Sequence, residues 1–366
     1  MASISADVAI VGGGLMGCYS AYFLRRRGRS VVVIDKGSAC AAASGVNFGN
    51  LRLQGAHPQE FPLSLGRRRS GRDLPASPER IAASFPAGTC IWDLRQAISP
   101  SWNAAAHDAR AAGLDVELLD GPAARRRWPV LSQAVTGASW SKRDAVADPA
   151  IASPRVARLA QRAGARLLEH TKVIAVERTG TGFALRTEQG STVTCGHVVN
   201  AAGAWAGTLR GNSASLCRCS RPDRRCSRSS RRHAYAGPSL HAVDGTLLLR
   251  PGRNGEAVAG SFPRVKADIA TGTAIVPRDR VERGLARLAE VVPGLGRIAR
   301  GRIWSGVEGY LPDMLPVIGW SRTTPGLLHA FGFSGHGFQL APGVGAVVAD
   351  LIVDWLVGDP DRKLLD

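Results

Sequence analysis

Apolar positions along the chain fall into two rhythms. Asp7–Val11 is a short run rich in β-branched residues, Val31–Ile34 is another, and the stretch between them carries an amphipathic spacing that ends near Gly28. Short apolar runs bounded by turn residues predict buried strands, and the 3.6-residue spacing predicts a helix. The middle repeats the theme. Ala105–Leu131 reads as a helix, a strand over Leu114–Asp120 and the start of another helix, and Asp148–Glu177 as an amphipathic helix leading into a strand. Val198–Asn200 is a buried strand feeding a small-residue turn at Ala201–Gly203, and His329–Gly358 reads as strand, glycine turn and a helix beginning around Gln339–Gly343. Alternation of this kind predicts an α/β fold with a parallel sheet.

Two segments break the rhythm. Gly66–Ser101 and Leu209–Ala236 lack sustained helical or alternating periodicity. They also hold much of the charge. The chain of 366 residues has a formal net charge of +18, of which Ser215–His233 contributes +6 and Gly66–Arg80 contributes +3. A basic balance suggests a polyanionic partner, but a charge concentrated in two patches leaves the remainder only moderately basic. Ser215–His233 admits four readings. Cys217, Cys219, Cys226 and His233 are potential zinc ligands, although seven arginines would repel the cation. A nucleic-acid arm lacks aromatic residues to stack on bases, and a disulfide staple needs an oxidising compartment. The fourth reading is a shifted frame in a GC-rich gene, which yields Arg, Ser, Pro, Cys and Ala. We expect the fourth for both segments, with no metal site and no nucleic-acid partner.

With 45% hydrophobic and 21% charged residues, the chain reads as globular, in two domains or one elaborated one. The first residues contain no basic region followed by an apolar one, so the expectation is a cytoplasmic, reducing location with free thiols. The apolar stretch Gly343–Gly358, broken by Asp350 and Asp354, reads as too short to span a bilayer.

The chemistry begins at Gly12-x-Gly14-x-x-Gly17. Gly12 permits a tight turn, Gly14 lets a pyrophosphate approach the backbone, and Gly17 lets helix pack on strand. The helix start then offers unpaired N–H groups to phosphate, and Asp35 is placed for an adenosine ribose. The motif alone leaves nicotinamide and flavin open. Ser44, Gly45, Asn47, Gly49 and Asn50 form a loop of small residues suited to a flat ring, or else a surface loop. Before the last helix, Gly335 and Gly337 would admit a ring whose negative charge the helix dipole favours.

These motifs, together with "VVNAAGAWA", "PDMLPVIG" and "GFSGHGFQLAPGVG", stand in the order found in the D-amino-acid oxidase superfamily. The chain resembles its glycine oxidase, sarcosine oxidase and D-amino-acid dehydrogenase branch. The resemblance implies an FAD-binding Rossmann-like domain (1–80, 146–208, 300–366) interleaved with an antiparallel-sheet, α+β substrate domain (81–145, 209–299). Leu247–Phe262 is similar to a strand pair of that second domain. By the same resemblance, FAD is held by Gly12, Gly14, Leu15, Met16 and Gly17, with Asp35 and Lys36 at the ribose and Val173 at the adenine. The ring lies between Ser44–Asn50 and Gly335, His336, Gly337, Phe338 and Gln339, and Ala202, Gly203, Trp205 and Gly306 are further cofactor-binding residues. No cysteine follows Cys226, so the flavin is expected to be non-covalent.

The resemblance further implies oxidation of a carbon–nitrogen bond in an amine or amino acid, by hydride transfer to flavin N5. Oxygen or a membrane quinone would be the electron acceptor. In place of the arginine that amino-acid-oxidising relatives place after Trp-x-Gly, this chain has Glu308. Either the substrate presents a cationic group to Glu308, or carboxylate binding has moved to Arg52. Glu308 could instead pair with Arg302, and Arg52 could be a surface residue. Tyr310 and His336 complete the substrate-facing candidates. Damage to the two aberrant segments would leave an FAD-binding but impaired relative.

Overall fold

In the computed structural model, residues 3–64, 84–86, 89–93, 100–208, 223–229, 235, 237–243, 245–261, 267–272, 277–297 and 300–356 are described. Ser3–Val11 is the central strand of the first sheet, parallel to Val31–Ile34 on one side and to Thr192–Asn200 on the other. Strand alternation divides its side chains. Val8 and Ile10 join a core built with the helices, while Ala9 and Val11 pack with Phe183, Leu185 and Val193 on the opposite face. Both faces are covered, which is why these strands read as continuous apolar runs.

The first helix, Leu15–Arg26, and the C-terminal helix, Gly337–Leu356, cover one face together. They approach closely because Gly345 has no side chain, since a Cβ there would lie 2.5 Å from Tyr19 Cβ. The C-terminal helix starts two residues before the expected region. Ser334 and Gly335, both at positive φ, complete the turn early. The apolar segment is therefore longer than expected. Gly337–Trp355 is long and apolar enough to cross a membrane by length and composition, but 72% of it is buried inside the protein. Asp350, which interrupts the apolar run, pairs with Arg27 of the first helix.

A second sheet lies across the first and is mostly antiparallel. Its order is Arg300–Val307, Asp223–Ser229, Ala257–Ser261, Leu247–Pro251, Ser239–Ala242, Thr89–Asp93, Gly137–Ser141 and Val116–Asp120. Leu247 and Leu249 point to a core that includes Leu288 and Val291 of the helix Arg278–Val291, while Leu248 turns the other way toward Phe48. A small third sheet joins Asn50–Leu51, Ala145–Ala147 and Ser84–Pro86. The α/β class with an antiparallel second sheet is as expected. Arg300–Val307, assigned in the expected division to the cofactor-binding part, is hydrogen-bonded in the second sheet.

Most of the two segments expected to be aberrant, including Cys217, Cys219 and His233, falls outside the described residues. Within them, Ser84–Pro86, Thr89–Asp93 and Asp223–Ser229 are nevertheless strands. Asp223–Ser229 pairs with neighbours on both sides. Backbone pairing can be supplied by flanking strands where the side-chain pattern carries no alternation.

Candidate functional site

Between the two sheets runs a cavity of about 910 Å³, at the upper end of the roughly 300–1,000 Å³ typical of ligand sites. One end is the turn after the first strand. Gly12 sits at φ +109°, and a Cβ there would lie 2.3 Å from Ala201 O. Gly17 does not line the cavity; a Cβ on it would lie 1.9 Å from Gly12 O, so it sets helix against turn. Asp35 at the end of the second strand accepts from Gly13 N (2.6 Å) and Gly37 N (2.8 Å). Burial pushes its carboxyl above the usual value, against the pull of those N–H groups. Lys36 stacks its ammonium over the Trp205 ring, 3.5 Å from the centroid, and desolvation lowers its pKa.

The Ser44–Asn50 loop lies against the helix start. Ser44 Oγ accepts from Leu15 N at 2.9 Å, and a Cβ on Gly14 would lie 3.1 Å from that oxygen. Asn47 Oδ1 accepts from Gly49 N, holding the loop's turn. Gly45 stands back from the cavity, close under Cys40 O. Gly306 is likewise away from the lining; it makes room for Val46, whose Cγ2 would lie 2.2 Å from a Cβ there. Leu15, Met16, Val173, Ala202, Gly203, Gly335, Gly337, Phe338 and Gln339 all line the cavity.

Of the substrate-facing candidates, Arg52, Glu308 and His336 line the cavity and Tyr310 does not. Tyr310 is fully buried, at 1% exposure, and donates its hydroxyl to Glu308 Oε2 at 3.0 Å. It acts on the carboxylate rather than facing the space. Arg302, the alternative partner of Glu308, is exposed.

The lining residues that sequence reasoning missed include His241 and Glu60. His241, on the second sheet, contacts Asn50 Nδ2 through Nε2 at 2.7 Å. Glu60 is 2% exposed and reaches toward His336. Alternation in "SLHAV" sets His241 opposite Leu240, and Glu60 is a lone acid entering an apolar turn; those were the available signals.

FAD fits this site. The cradle glycines occupy places a Cβ would fill, and Asn50 Oδ1 and Gln339 Oε1, both on residues lining the space, are buried acceptors without a hydrogen-bond partner among the described residues. A flavin's ring edge carries the N–H such acceptors need. No group of three or more metal-ligating side chains occurs among the described residues.

A parallel-sheet cradle of this kind opening beneath a second sheet is the architecture of a dinucleotide-binding protein. The family of FAD dependent oxidoreductases termed DAO matches residues 7–351, and the chain belongs to it. It is 27% identical to a glycine oxidase of Geobacillus kaustophilus over 94% of this chain and 92% of that one. The solved structure of glycine oxidase from Geobacillus kaustophilus superposes with a TM-score of 0.81 at 24% identity, over 99% and 97% of the two chains. That of L-proline dehydrogenase from P. horikoshii gives 0.83 at 22% identity, over 99% and 96%. The fold is shared with both.

Proposed function

We propose that this FAD-dependent oxidoreductase oxidises the carbon–nitrogen bond of a small amine or amino acid of the D-amino-acid, glycine, sarcosine or opine type. The cradle and its flanking loops would hold FAD non-covalently, and the bound flavin would supply a hydride acceptor at N5. The observation that carries the reading is the continuity of the cavity: the cradle at Gly12–Met16 and the flanking loops open directly onto Arg52, Glu308, Glu60 and His241. A dinucleotide site that ended at the loops would need none of them. Relatives named for oxidising glycine and L-proline support the substrate class.

The chain's own residues bind, orient and exclude water. Arg52 is the cation for a substrate carboxylate. Glu308, fixed by the Tyr310 hydroxyl, accepts an N–H of the substrate and orients its nitrogen. Phe48 and Leu248 give the cavity an apolar wall that keeps the amine poorly solvated. A neutral nitrogen releases hydride from the adjacent carbon more readily than an ammonium, and desolvation favours the neutral form. Product analysis tests the proposal. Stoichiometric carbonyl compound and released ammonia or amine support it, and flavin reduction without a carbonyl product would sink it.

A further inference from the structure

Glu60 ends the short turn Pro58–Glu60 and leads into the helical turn Phe61–Ser64. Its side chain is 3% exposed and lines the cavity, yet neither carboxylate oxygen has a hydrogen-bond partner among the described residues. Nearest is His336 Nδ1, 3.5 Å from Oε2 and itself without a hydrogen bond. Ser64 Oγ and Gln339 Oε1, also on the cavity wall, are in the same condition. Four neighbouring side chains on the cavity wall thus carry buried polar atoms whose one close polar contact among the described residues is the 3.5 Å approach of His336 to Glu60.

Buried polar atoms are almost always partnered, and an unpaired buried carboxylate is costly. A carboxylate only accepts, so its partner must donate. A single ring N–H could serve one acceptor such as Gln339 Oε1, but it would leave Glu60 with no donor within hydrogen-bond geometry, only His336 at 3.5 Å. A cation with several N–H groups answers both needs. Glu308 adds a second carboxylate to the same cavity.

We propose that Glu60, with His336 beside it, is a specificity site for a protonated nitrogen on the substrate, an ammonium or guanidinium group distinct from the amine being oxidised. The proposal rests on the amine-oxidising reading of the cavity. Under it, diamines and basic amino acids are preferred over substrates with a single nitrogen.

A binding test separates the two claims. tert-Butylammonium has no hydrogen on the carbon bearing nitrogen, so it binds without being oxidised. Its dissociation constant for the FAD-loaded protein is read from perturbation of the visible flavin spectrum, beside those of pivalate and tert-butanol, which share its shape. The wild type should prefer the cation to both, and Glu60→Gln should weaken cation binding by about ten-fold or more while leaving tert-butanol binding and FAD content unchanged. Glu60→Asp, which keeps the charge, should retain part of the preference. A wild type that prefers pivalate, or a Glu60→Gln protein that binds the cation as tightly as wild type, overturns the proposal. So does loss of FAD from Glu60→Gln, which would make Glu60 a cofactor contact. Glu60-dependent cation binding in a protein that oxidises no amine would uphold this site and reject the proposed reaction.

Discussion

Asn50 and His241 meet at 2.7 Å, amide Nδ2 to ring Nε2, across the cavity between the two sheets. Asn50 belongs to the loop beneath the cradle and His241 to the strand Ser239–Ala242, so the pair ties floor to roof. With Asn50 donating, Nε2 must be the unprotonated ring nitrogen. His241→Ala leaves a buried amide donor unmet, at a cost of about 1–3 kcal/mol. Urea unfolding of His241→Ala, Asn50→Ala and the double variant checks this, and the losses should be less than additive.

Gly17 tests the cradle. A methyl group there would meet Gly12 O at 1.9 Å, backbone against backbone, whereas one on Gly14 would meet the Ser44 hydroxyl at 3.1 Å. Gly17→Ala must push the helix off the turn and is expected to yield protein without bound flavin. Gly14→Ala displaces a side chain only and should fold, with weaker FAD retention. The ratio of visible flavin absorbance to protein absorbance in each purified variant reads this out.

Helix packing gives a third expectation. Gly345→Ala would place a methyl 2.5 Å from Tyr19 Cβ and 2.6 Å from the Tyr19 carbonyl carbon. The first and last helices must separate, at about 1–3 kcal/mol as in other overpacked cores. Urea unfolding should show a lower midpoint with an unchanged slope.

Acid should weaken the fold through two histidines. Burial lowers the pKa of His329 below 6.5 and does the same to His197, where Arg29 adds to the effect and Asp7 opposes it. An unfolded chain takes up protons there before the folded one does. The histidines' contribution is therefore full above about pH 6.5 and lost as pH falls through their lower folded values. The unfolding midpoint should drop between about pH 7.5 and 5.5, and less steeply in His329→Gln. Asp35 runs the opposite way. Its raised carboxyl contributes below 3.8, the ordinary value, and that contribution is lost as pH rises through the folded value.

The first strand–helix–strand unit was legible because local rules decide it. β-Branched runs make buried strands, and the glycines of the turn admit one geometry; Val31–Ile34 falls where its pattern places it. The C-terminal helix was legible as an element but not at its start, where Ser334 takes a positive φ that serine rarely adopts. Gly45 and Gly306 read as cofactor-binding residues in the sequence; in the structure they pack closely under Cys40 O and Val46. Glu60 and His241 were not legible as site residues. Each reaches its partner across a long sequence separation, His336 for Glu60 and Asn50 for His241. Strand alternation tells which face a residue takes, but not what stands opposite.

Anaerobic titration of the FAD-loaded wild type with amines tests the central claim most directly. The panel should span D-amino acids, glycine, sarcosine, opines, diamines and basic amino acids, with dithionite as the reference for full reduction. The account predicts that at least one amine bleaches the visible flavin band to the dithionite end point. A protein that stays yellow across the panel and bleaches only with dithionite would contradict it.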